Sequence, residues 1–83
     1  MTVAAEDLRK LLTSDLPDPT LVLVEGRVEV VKVDDLDTDA LRGALLLTSR
    51  DELLARGVRE DADDRQLQEH AAAISTVVDL QGG

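Results

Sequence analysis

Residues 21–33 (LVLVEGRVEVVKV) constrain the fold more than any other stretch, because two β-branched, apolar-rich runs flank the Glu25-Gly26 break. The segment predicts a β-hairpin. With a two-residue turn the cross-strand pairs are Val24–Arg27, Leu23–Val28, Val22–Glu29 and Leu21–Val30. Leu21, Leu23, Val28 and Val30 then share a wholly apolar face. The opposite face carries Val22, Val24, Val31 and Val33, with Arg27 and Glu29 among them. A three-residue loop would pair Leu21 with Glu29 and Leu23 with Arg27, mixing charge into both faces. A one-residue slip moves side chains to the wrong face, so the apolar pattern selects the two-residue turn. Glu-Gly is a weaker turn signal than Asn-Gly, because Glu tolerates positive φ less well.

A hairpin needs something to pack against, and the composition limits what that is. The chain has 83 residues and no Phe, Tyr or Trp, so its core must be built from Leu, Val, Ile and Ala. A domain this small buries only roughly 60–65% of the surface its unfolded chain exposes. No cysteine is present, which removes disulfides, a thiolate nucleophile and Cys-containing zinc sites. Small domains without such reinforcement often gain stability by oligomerising, so a homodimer is expected.

The 18 acidic and 9 basic residues give a net charge of −9, which disfavours nucleic acid and anionic membrane surfaces and suits a basic partner. Acidity alone can signal disorder, but 43% of the chain is apolar and much of that is patterned, so a folded domain is expected. No apolar run approaches a membrane span and no signal-peptide pattern follows Met1; a cytoplasmic location is the expectation. The preference for Arg over Lys and Asp over Glu fits high-GC coding or a salt-adapted proteome.

Along the chain, residues 2–13 read as a helix with Ala4, Leu8, Leu11 and Leu12 on one face, Thr2 as N-cap, and Glu6 and Asp7 near the positive end of the dipole. Pro17 and Pro19 make residues 14–20 a stiff extended connector. After the hairpin (about 20–33), residues 34–42 turn, with Asp37 as the expected cap of a short helical turn ending at Gly43. Residues 44–48 form a possible third strand, though their three Leu would also suit a buried helix. Ser49-Arg50-Asp51-Glu52 matches the capping box and introduces a short helix over 50–56 that stops at Gly57. Asp61, Asp63 and Asp64 suit the start of a last helix over about 62–80, with Leu67, Ala71, Ile74 and Val78 as its apolar stripe. Residues 74–80 also alternate with period two, as a strand would. Helix is preferred because the stripe continues from 66–73. Residues 81–83 read as a frayed tail. The whole is one α+β domain over 1–83.

Candidate chemistry is sparse. Asp35, Asp37 and Asp39 open like a calcium loop, but Ala40 and Leu46 stand where an EF-hand needs Gly and Glu. A solvated acidic turn is the expected reading. His70 is the one histidine and lies beside the apolar stripe, as a boundary residue does. Ser49, Thr48 and Ser75 lack any nucleophile-elbow context. Gly26, Gly43 and Gly57 are isolated and form no phosphate loop. A non-enzyme is expected, with no catalytic residue, no metal and no cofactor. Gly82-Gly83 resembles the terminal diglycine of ubiquitin-like carriers, which is adenylated. That resemblance covers two residues, and such carriers begin with a strand in a β-grasp fold, whereas a helix is expected first here.

The expected function is a non-catalytic protein–protein interaction module, homodimeric or part of a larger assembly. The reason is the second hairpin face: one monomer has too few elements to cover both faces. Val22, Val24, Arg27, Glu29, Val31 and Val33 are the expected interface, with Arg27 and Glu29 able to pair reciprocally across a two-fold axis. The alternative is an acidic inhibitor of a basic partner, such as an antitoxin, an immunity protein or a DNA mimic, steered by charge. A diglycine carrier is a further alternative.

Overall fold

The first helix begins later than its capping residues suggest, and the cause is Val3. In the computed structural model, which describes residues 2–82, Val3 is fully buried and residues 2–4 are not helical. Helix α1 is Ala5–Leu12, with Ala4 as its N-cap in extended conformation. The Ala4 methyl accepts nothing, but the Asp7 carboxylate reaches back and accepts from the Ala4 N–H at 2.9 Å. Thr2 is therefore not the cap; its hydroxyl lies 3.5 Å from Asp79. Leu8, Leu11 and Leu12 are buried, as their spacing requires.

The connector is stiff but not extended throughout. Asp18, between the two prolines, takes a left-handed φ of 46°, which an Asp tolerates better than most residues. Its carbonyl accepts from the Thr20 hydroxyl at 3.2 Å. Strands β1 (Pro19–Val24) and β2 (Arg27–Lys32) follow, antiparallel, with Val24 opposite Arg27 and Leu21 opposite Val30. The two-residue register is the one formed. Glu25 and Gly26 have φ of 51° and 80°, so both central residues are left-handed, which is the turn that matches strand twist.

Val33 leaves the strand. It begins a 3₁₀ turn, Val33–Asp37, and a second one, Asp39–Leu41, follows. Asp37 does not cap this turn. The break falls at Thr38, whose hydroxyl donates to the Asp35 carbonyl at 2.7 Å. Strand β3 (Leu45–Ser49) then pairs antiparallel with β1, giving the order β2-β1-β3. A bulge opposite Leu21 and Val22 leaves Leu47 without a partner.

Helix α2 (Arg50–Ala55) starts at Ser49, whose Oγ accepts from the Glu52 N–H at 3.1 Å. Only this half of the capping box forms. The Glu52 carboxylate turns instead to the Thr48 hydroxyl (3.3 Å) and Arg56 (3.2 Å). The helix ends in a Schellman motif: Gly57 at φ 89°, Gly57 N–H to Leu54 C=O at 3.0 Å, and Val58 N–H to Leu53 C=O at 2.9 Å. Leu53 and Val58 are both buried there.

Helix α3 (Asp64–Gly82) is capped by Asp63, which accepts from the Gln66 N–H at 2.8 Å. It continues through residues 74–80, so helix periodicity prevails over the period-two pattern. Gln81 and Gly82 are helical rather than a tail, and Gly83 lies outside the described residues. Arg9 ties α1 to the start of α3, donating to the Ala62 carbonyl at 2.7 Å and to Asp64 at 2.9 Å. Among the described residues no helix is long and apolar enough to cross a membrane.

The two faces of the sheet are covered differently. Leu21 joins Leu8, Leu11, Leu12, Leu53 and Leu67 in the main core, with Val28, Val30, Leu47 and Ile74 at its margin. Helix α1 packs on β1 and β2 and runs beside α3. On the opposite face Val22, Val24 and Leu41 form a second, smaller core bordered by Val31, Leu36 and Ala44.

Candidate functional site

The second core decides which of the expected interface residues reach solvent. Val22 is 0% exposed and Val24 is 8% exposed, because the 3₁₀ turns fold Leu36 and Leu41 over them. Those two valines belong to the interior, which corrects the expectation that they face a partner. The chain covers this face with its own connection, a solution that the charged sequence of 34–42 hides. Val31 is half-buried beside the same core, and Val33 is 44% exposed where the strand ends. Arg27 bonds Glu29 at 3.1 Å and lies 3.7 Å from Glu25, so its charge is met within its own hairpin.

A three-stranded sheet has two edges, and here they are unlike. The β2 edge carries Arg27, Glu29 and Lys32, the kind of charged residues that discourage a strand from pairing with another chain. The β3 edge reads LLLTS and carries no charge. Leu46 sits on it, opposite Val22, and is 58% exposed. Among the described residues, no backbone hydrogen bond engages Leu45, Leu46 or Leu47 beyond the ladder to β1.

Helix α3 extends this surface. Its stripe of Leu67, Ala71 and Val78 is buried, with Ile74 at the margin of the core. A second stripe lies alongside at His70, Ala73, Val77 and Leu80, spaced 3-4-3 as on a helix that meets another element. Val77 is 53% exposed and Leu80 is 82% exposed. A groove of about 260 Å³ opens between β3, α2 and this half of α3, floored by Leu47, Leu53 and Ile74, with Glu52, Arg56 and His70 lining it as well. Glu52 and Arg56 are an ion pair at 3.2 Å, so the rim brings no unbalanced charge.

Sequence reasoning missed Leu46, Val77 and Leu80, although a signal for them exists. In a chain that is 33% charged, residues 43–49 and 71–78 contain no Asp, Glu, Lys or Arg. The comparable run 19–24 is the central strand, where burial on both faces explains it. The other two runs form a surface that remains partly in solvent.

The residues weighed for chemistry have other tasks. Ser75 is 3% exposed and spends its hydroxyl on the Val3 backbone, accepting from the N–H at 2.9 Å and donating to the C=O at 3.2 Å. Ser49 caps α2, and Thr48 bonds Glu52. His70 lines the groove beside Arg56 without a serine or cysteine among its other lining residues. Asp35, Asp37 and Asp39 do not converge: among the described residues no group of three His, Cys, Asp or Glu side chains is placed to hold a metal ion. Arg42 pairs with Asp39 at 3.2 Å. Comparisons with known proteins return nothing: no protein family, curated protein or solved structure matches the chain.

Proposed function

We propose that this chain is a non-catalytic protein–protein interaction module that binds through the β3–α3 face. One observation carries the reading: a chain with 18 carboxylates leaves Leu46 and Val77 lining an apolar groove free of unpaired charge, with Leu80 exposed about one turn further along α3. Exposed large apolar side chains that cluster beside a free strand edge are what protein partners cover. The outer hairpin residues Arg27, Glu29, Val31 and Val33 remain accessible in part, but their charges are already paired locally, which makes them the weaker surface.

Site-specific photo-crosslinking in the native host tests the reading. A photoreactive amino acid replacing Val77 is expected to trap a protein, and the same group at Glu60, in the exposed turn before α3, is not. Equal, background-level trapping at both positions would remove the basis for the module.

The acidic-inhibitor alternative rests on the net charge of −9, with Asp34, Asp35, Asp37 and Asp39 on the 3₁₀ turns and Glu60, Asp61, Asp63 and Asp64 ahead of and at the start of α3. It predicts trapping from position 37 that weakens as salt rises.

A further inference from the structure

We infer that the occupant of the β3–α3 face is a second copy of this chain, joined by antiparallel pairing of the two β3 edges about a two-fold axis beside Leu46. The inference rests on the interaction-module reading and names its partner. Antiparallel pairing about a two-fold axis sets each strand against itself, so an edge accepts its own copy only if no residue meets a like charge. The β3 edge satisfies this over the whole uncharged run 43–49, with Leu46 facing Leu46. The β2 edge is less suited: pairing centred on Glu29 sets Glu29 against Glu29, and pairing over the full strand Arg27–Lys32 sets Arg27 against Lys32.

Charge does not point to a basic partner on this face. Two chains of net charge −9 repel at long range and can meet closely only where carboxylates are absent or matched. On this face the one lining acid, Glu52, is matched by Arg56. A basic partner would find nothing here to bind. Across the two-fold axis the outward stripes of the two α3 helices approach on the same side of the joined sheet, and Val77 and Leu80 gain apolar neighbours. Two three-stranded sheets become one of six strands, and the exposed edge that remains at each end is β2, the charged one. An aliphatic core without aromatics or disulfides gains stability from such a union.

The chain has no cysteine, so one introduced thiol reports the geometry. Residues directly opposite in antiparallel strands have Cα atoms about 4.5–5.5 Å apart, within the 4.4–6.8 Å or so that a disulfide requires. L46C is expected to oxidise to a covalent dimer at low micromolar concentration, whereas E60C and V33C stay monomeric on denaturing gels. Sedimentation equilibrium of the unaltered chain is expected to give a dimer. V77D is expected to weaken it about thirty-fold or more, with an unchanged circular dichroism spectrum. A monomer at high micromolar concentration, together with trapping of a different protein from position 77, overturns the second copy and leaves the module. A monomer with no trapping overturns both. A dimer that cross-links through V33C and not L46C overturns the β3 geometry.

Discussion

Ser75 holds Val3 by both of its backbone groups, across 72 positions of sequence. The next residue shows the usual behaviour of a helical hydroxyl: Thr76 donates to the carbonyl of Ala72 one turn back. Ser75 instead fastens the extended residues ahead of α1 to the middle of α3. This delays the start of α1 and sends the Val3 side chain into the core.

Replacing Ser75 with Ala leaves the Val3 N–H and C=O buried without those partners. The expected cost is about 1–3 kcal/mol, read by urea unfolding at fixed protein concentration. For a domain of this size that lowers Tm by roughly 4–8 °C per kcal/mol. A change within experimental error would mean that water replaces the hydroxyl.

Val22 and Val33 occupied equivalent positions in the expected interface, and the structure separates them. Val22→Ala is expected to cost about 2 kcal/mol, from the methyl groups withdrawn from the second core and the space left behind. Val33→Ala is expected to stay within roughly 0.5 kcal/mol. Equal costs would show that the 3₁₀ turns do not cover Val22.

The hairpin turn is occupied by a residue poorly suited to it. Glu25 sits at φ 51°, a conformation that Asn enters more readily. Glu25→Asn is expected to raise stability by a few tenths to about 1 kcal/mol. The contact it removes, 3.7 Å between exposed Glu25 and Arg27, contributes little. A loss of stability would point to a different turn.

Gly57 isolates backbone strain from packing. A Cβ added there meets nothing within 4 Å, but φ is 89°. Gly57→Ala is expected to cost roughly 1–2 kcal/mol by conformation alone, and Gly57→Asn less. Thermal unfolding of the two variants checks the order.

Local patterns gave the elements because their causes are local. The hairpin register followed from which face each side chain of 21–30 must occupy, and β1 and β2 formed it pair for pair. Ser49, Asp63 and Gly57 marked helix ends because caps act within one turn. The start of α1 was misplaced because its cause is Ser75, far along the chain. Thr2 had the right chemistry for a cap, but Val3 is held elsewhere.

The candidate site followed the same division. The sequence by itself determined that the core is aliphatic, that the hairpin has two apolar faces and that residues 43–49 and 71–78 carry no charge. It did not determine which of those surfaces stays open, because that depends on what packs over each one. Only the tertiary structure closed the Val22–Val24 face with Leu36 and Leu41, and left Leu46 on the β3 edge and the nearby Val77 uncovered. The physical reason is that burial is a relation between elements distant in sequence. A 3₁₀ connection rich in aspartate brings two leucines onto the sheet, and no pattern within either segment records that they meet.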